Sequence, residues 1–248
     1  LTLSFSGADV TARGPLLFGD TANTSYVPGP LTVNLSDGSF TINGYKRSLR
    51  LGANSSYPSA VTMDINQTGG DANYNDEIYI GFSNNVHATY TISGGTFDAQ
   101  ANISNYRGLW VGVDGGSTGS GTFHVDGAGA DHINIQEQTN IRGSGTLRMT
   151  IDSTGSVTPI STGAISVTGT VDLELDGYTP MQDQVFDLMS GGSLDYSSAS
   201  LAADDVGIWD LGDDGSGTLQ AIYLVPEPAA VSLLLAAGTL LLTRRRHV

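Results

Sequence analysis

Three short segments, Leu49-Arg50-Leu51-Gly52, Ile78-Tyr79-Ile80-Gly81 and Leu109-Trp110-Val111-Gly112, repeat one pattern at intervals of 29 and 31 residues. In each, apolar residues flank one variable position and a glycine follows. A second block alternates with the first: Val33-Asn34-Leu35-Ser36-Asp37-Gly38, Met63-Asp64-Ile65-Asn66, Tyr90-Thr91-Ile92-Ser93-Gly94-Gly95 and Phe123-His124-Val125-Asp126-Gly127. Alternation with period 2 turns one side of each strand inward, while Gly, Asn and Asp supply left-handed turns. A fixed period of this length, built from such strands, predicts a solenoid in which each coil buries its apolar row against the next. The spacing predicts about four coils of a parallel β-helix over Pro30–Glu137, a short stub roughly 20 Å long at about 4.8 Å per coil.

Leu49, Ile78 and Leu109 are therefore expected to stack, as are Leu51, Ile80 and Val111. Beyond residue 137 the spacing lapses, although Thr146–Ile151, Ala164–Val167, Val171–Leu175, Val185–Leu188 and Leu219–Leu224 still read as strands. The chain thus divides into solenoid repeats over 1–137, irregular coils or a β cap over 138–224, and a distinct tail over 225–248. A cap has a physical purpose, because the open end of a stack exposes unpaired N–H and C=O groups. Strand number and spacing alone also admit a β-sandwich. No segment before Ala229 carries helical periodicity.

The formal charge of −15, carried on a chain with a single lysine, Lys46, excludes binding to phosphate backbones and repels anionic lipid. Without the tail's three arginines and Glu227 it becomes −17, from seven basic and 24 acidic residues. Cysteine is absent, so burial and backbone pairing alone must hold the fold.

The tail reads Val225-Pro226-Glu227-Pro228, then 15 uncharged residues from Ala229 to Thr243, then Arg244-Arg245-Arg246-His247-Val248. Two prolines bar a helix from running back into the preceding chain. The Ala/Leu-rich stretch favours a hydrophobic helix, and three arginines hold the chain end on the cytoplasmic side of a membrane. At about 1.5 Å per residue the helix reaches about 22 Å, short of a hydrocarbon core of about 30 Å. This order of parts resembles the PEP-CTERM sorting tail of Gram-negative bacteria that make extracellular polysaccharide. The resemblance implies that Pro226, Glu227 and Pro228 are recognised by an exosortase, a membrane-embedded processing enzyme, with Arg244, Arg245 and Arg246 completing the signal. It also implies export, transient anchoring in the inner membrane, and an N-terminal signal peptide already removed or lying outside this sequence. The Gly-rich repeats resemble those of autotransporter-like passenger proteins.

Candidate chemistry is sparse. Gly115-Gly116-Ser117-Thr118-Gly119 matches a nucleophile-elbow pattern, but a strand rather than a helix is expected to follow. Asp71, Asn73, Asn75 and Asp76 gather oxygen ligands in the manner of an EF-hand loop. Asp76 stands where that loop needs Gly, however, and Phe82 where it needs a carboxylate. These four are the one metal candidate, for calcium, and no other cofactor is expected. Asp126, Asp131 and His132 are the nearest approach to an acid/base cluster, separated by a Gly-rich segment that would hold none of them rigidly. His87 is expected in a loop and His124 on the outward side of a strand. Tyr79 and Trp110 occupy equivalent positions, where packing is favoured over a row of aromatics for binding sugar.

No column of convergent acidic or basic groups is visible, so no catalytic residue is assigned. The expected protein is a non-enzymatic, exported cell-surface or matrix protein with an adhesive or polysaccharide-associated role. The alternatives are a β-helix lyase or glycosidase, and a carbohydrate-binding module. A polyuronate lyase would have to rely on Arg107 or Arg142 for cations.

Overall fold

A computed structural model describes residues 1–13, 16–18, 30–43, 48–52, 59–100, 108–113 and 118–225. The tail from Pro226 onward, with its sorting residues and expected hydrophobic helix, lies outside the described residues. The described chain is all β, without a helix, and winds into a β-solenoid of about six turns.

In chain order the strands are β1 (Thr2–Phe5), β2 (Val10–Ala12), β3 (Leu16–Phe18), β4 (Leu31–Leu35), β5 (Ser39–Ile42) and β6 (Leu49–Leu51). Then come β7 (Val61–Tyr74), β8 (Ile78–Ile80), β9 (Val86–Ala99), β10 (Gly108–Val111), β11 (Ser120–Asp126), β12 (Ala130–Ile141), β13 (Gly145–Ile151) and β14 (Ile160–Val167). The last are β15 (Thr170–Leu175), β16 (Val185–Ser190), β17 (Leu194–Asp195), β18 (Ser200–Leu201), β19 (Trp209–Asp213) and β20 (Thr218–Tyr223). They form three faces of parallel strands. The first stacks β1, β4, β7, β9, β11, β13, β15 and β18. The second stacks β2, β5, the far halves of β7 and β9, then β12, β14 and β16. The third stacks β3, β6, β8, β10 and the far halves of β12 and β14, ending at β17. Parallel pairing throughout these faces rules out the sandwich.

Leu49 lies on Ile78 and Ile78 on Leu109, with Leu51, Ile80 and Val111 likewise in register, all fully buried. The second block stacks with one correction. Met63 lies on Leu31 rather than Val33, so that Val33, Ile65, Tyr90 and Phe123 form the inward column. The inward rows merge into one core, where Tyr74, Tyr90, Phe97 and Phe123 meet with ring centroids 5.2–6.3 Å apart. Inside it the Tyr90 hydroxyl donates to Gln67 Oε1 (2.8 Å) and lies 3.0 Å from the Tyr74 hydroxyl, while Gln67 Nε2 donates to the Thr96 carbonyl (2.7 Å). Burial pushes both phenols well above the usual tyrosine range, so they act only as neutral hydrogen-bonding groups.

The repeated glycines form the corners. Gly52, Gly81 and Gly112 have φ of +86°, +71° and +74°, and a Cβ on Gly81 would sit 2.1 Å from the Ser120 carbonyl oxygen. Parallel stacking continues past residue 137 through β13, β14 and β15, in a shorter coil. Arg148 and its register partner Asp172 are 24 residues apart, as are Thr150 and Glu174. The C-terminal end is closed by antiparallel pairing of β20 with both β16 and β19, where Trp209 packs between Phe186 and Tyr223.

Candidate functional site

Because strand residues alternate in and out, each outward position on a parallel stack becomes a column with one side chain about every 4.8 Å. On the first face two such columns run side by side. One carries Thr2, Thr32, Asp64, Thr89, Thr122, Thr146, Thr170 and Ser200. The other, two residues further along each strand, carries Ser4, Asn34, Asn66, Thr91, His124, Arg148 and Asp172. Amide groups link its lower rungs: Asn66 Nδ2 donates to Asn34 Oδ1 at 3.0 Å and Asn34 Nδ2 to Ser4 Oγ at 3.3 Å.

The upper rungs gather charge. Arg148 Nε donates to Asp172 Oδ2 at 2.7 Å, and its Nη1 lies 3.5 Å from Glu174. His124 Nε2 lies 2.9 Å from the Thr150 hydroxyl, which donates to Glu174 Oε2 at 3.4 Å. Burial, helped by Arg148, lowers the His124 pKa against the opposing pull of Asp126, Glu174 and Asp172. The ring is therefore neutral at neutral pH. No pairwise spacing in the sequence announces this group. It arises only because β11, β13 and β15 are in register.

The three residues that came nearest to an acid/base cluster in the sequence are not brought together. Asp126 ends β11 on the first face, whereas His132 sits past the corner on β12, paired with Asp98 Oδ2 at 2.9 Å. Asp131 is exposed at the bulge between Ala130 and His132. The segment that holds the calcium candidates is in large part a strand. Asp71 and Asn73 stand in β7, where Asp71 accepts from Thr96 Oγ1 (2.8 Å), and Asn75 Nδ2 donates to Asn43 Oδ1. Asp71 and Asn75 are thus each bonded to a neighbouring coil, Asp71 to Thr96 and Asn75 to Asn43. Asp76 is buried and accepts from the Glu77 N–H at 3.0 Å. His87 is not in a loop but in β9, its Nδ1 2.8 Å from Ser120 Oγ. Residues 115–117 of the nucleophile-elbow pattern lie outside the described residues, and Gly119 leads into strand β11.

Asp172, Asp204 and Asp205 bring carboxylate oxygens within 4.8 Å of one another. Asp172 Oδ2 is also held by Arg148 and Asp205 Oδ2 by the Leu173 N–H. On the third face Tyr79 and Trp110 do point outward, stacked at 6.1 Å and 16°. The Arg50 guanidinium lies 4.8 Å from the Tyr79 ring and that of Arg142 lies 4.3 Å from Trp110. The stack is thereby closed by a cation at each end, so these rings serve one another rather than offering a flat platform to a sugar. No family model, no curated protein and no solved structure matches the chain.

Proposed function

We propose that this is an exported, non-enzymatic protein of the cell surface or extracellular matrix, a rigid solenoid associated with exopolysaccharide. The observation that carries the reading is the pair of hydrogen-bonding columns running the length of the first face. Threonine, asparagine and serine supply most of their donors and acceptors, with Asp64, Arg148 and Asp172 the charged exceptions, at a repeat of about 4.8 Å, close to the length of one sugar in an extended chain. The net charge of −15 favours neutral glycans over polyuronates. Export is carried by the tail. Its Pro226-Glu227-Pro228 triplet, uncharged apolar sequence over 229–243 and Arg244-Arg245-Arg246 cluster suit transient anchoring in the inner membrane and release by an exosortase-type enzyme. Among the described residues, no helix is long and apolar enough to cross a membrane.

The test is co-sedimentation of the protein purified from its host with that host's exopolysaccharide, alongside a glycan array. Retention on a neutral glycan, lost when Thr89, Thr122 and Thr146 are replaced together by Val, is the expected result. Absence of binding to any glycan would refute the polysaccharide role.

A second reading, a β-helix glycosidase, is favoured by one observation: His124, Arg148, Asp172 and Glu174 converge on adjacent rungs of one face. Glycosidases use a pair of carboxyls, and Asp172 and Glu174 are alternate residues of β15 and so share its outward side. Both are bound to Arg148, however, and two concavities among the described residues lie elsewhere, around Phe40 and around Ser193. Turnover of xylan, pectate, alginate or the host glycan that disappears in Asp172→Asn would establish the enzyme.

A further inference from the structure

We infer that Asp205 is an acid-set latch on the C-terminal end of the solenoid, its side chain standing where the next parallel strand would be. β18 pairs only with Thr170 and Val171 of β15, and its continuation contributes one more bond, from Ala202 N to the Val171 carbonyl at 2.9 Å. The next inward-facing amide on that edge, Leu173 N–H, meets no strand. It donates instead to Asp205 Oδ2 at 2.8 Å. The Asp205 backbone ties the same point to the closing hairpin, since its carbonyl accepts from the N–H groups of Ile208 and Trp209, each at 3.0 Å. Asp205 is 5% exposed and Trp209 3%. One buried carboxylate therefore joins the last coil, the loop over 202–208 and β19, and covers an edge that would otherwise be open to another chain.

The charges around it set the direction of its response. β15 presents Asp172 and Glu174, both held by Arg148 of β13, and the loop itself presents Asp204. His124 of β11 stands one rung beyond Arg148. Asp210 of β19 is turned to its own neighbour, accepting from Leu211 N–H at 2.9 Å. No cation bonds Asp205 directly among the described residues. Burial, with Asp172, Asp204 and Glu174 adding to it and the Leu173 bond opposing, pushes its pKa up to about 6. A carboxyl with a raised folded-state pKa binds its proton more tightly closed than open. The closure is therefore strongest below the unfolded value and weakens as the pH rises through about 6. Between pH 7.5 and pH 5 the opening equilibrium should fall by up to about tenfold.

The global melting temperature mixes this effect with that of His124, whose lowered pKa acts in the opposite sense as acid is added. The measurement must therefore be local. Amide hydrogen exchange at Leu173, corrected for its intrinsic rate, is followed in the full chain from pH 7.5 to pH 5, with Trp209 fluorescence in Trp110→Phe as a second reporter. Protection should rise up to tenfold on acidification. Asp205→Asn keeps an acceptor for Leu173 and cannot ionise, so it should be well protected at both pH values and show no response. Asp204→Asn, which leaves the bond untouched, should move the midpoint to lower pH. Protection that is flat or falls with acid in the unmodified chain, or a response that survives Asp205→Asn, would overturn the latch.

Discussion

Replacing Gly81 with alanine separates the two reasons a glycine can be needed at a solenoid corner. Its φ of +71° is one that an L-residue adopts at a cost of about 1–2 kcal/mol. The added Cβ would also lie 2.1 Å from the Ser120 carbonyl oxygen, 2.4 Å from its carbon and 2.5 Å from Gly121 N. These are backbone atoms of the coil above and cannot swing aside. The corner must open, straining the bonds from Gly81 N to the Leu51 carbonyl and from Gly112 N to the Ile80 carbonyl (3.0 and 2.8 Å). Overpacking of this kind adds about 1–3 kcal/mol, for a total of about 2–5 kcal/mol. Gly215 is the control, with φ +75° and nothing within 4 Å of an added Cβ. Gly215→Ala should lose only the conformational part, about 1–2 kcal/mol. Urea unfolding of both variants, followed by far-UV circular dichroism, measures the difference. Equal losses in the two proteins would mean that Gly81 does not sit beneath the Ser120 turn, and the stacked-corner geometry would be wrong.

Tyr90→Phe should lose about 2–4 kcal/mol, because it strands Gln67 Oε1 and the Tyr74 hydroxyl in the core; a loss under 1 kcal/mol would show that water reaches the network. Trp110→Ala should cost about 3 kcal/mol or less and leave glycan retention intact, since both ends of its stack are closed by arginine; loss of retention would make the third face the binding surface. Millimolar calcium should leave the melting temperature unchanged, and a rise abolished by Asp71→Ala with Asp76→Ala would restore the metal loop.

The third face was legible in the sequence because Leu49, Ile78 and Leu109 each sit in a short strand closed by a glycine, so apolar spacing and corner coincide. The first face was harder. Aligning Met63 with Val33 misplaces it by two residues, which period-2 alternation cannot detect, since inward residues stay inward after a shift of two. The steps from β11 to β13 and from β13 to β15 were unreadable as repeats because they are 24 residues long, against 29 and 30 for those that end at β17 and β18, and they exchange the Gly-ended pattern for Leu147-Arg148-Met149 and Val171-Asp172-Leu173. The charged group was invisible for the same reason: His124, Arg148 and Asp172 share no motif and meet only through register. Asp71–Glu77 misled because its oxygen-rich composition suits a loop, while Ala72 and Tyr74 place much of it in a buried strand by packing against Phe97 and Ala99.

Intact-mass analysis of the protein recovered from the extracellular matrix of its native host tests the account most directly. Export and release by an exosortase-type enzyme predict a matrix-borne species that retains the solenoid through Tyr223 and ends near Pro228, without Arg244–Val248. A protein found only in the membrane fraction, with a mass that includes those last five residues, would contradict release and leave a solenoid on a permanent anchor.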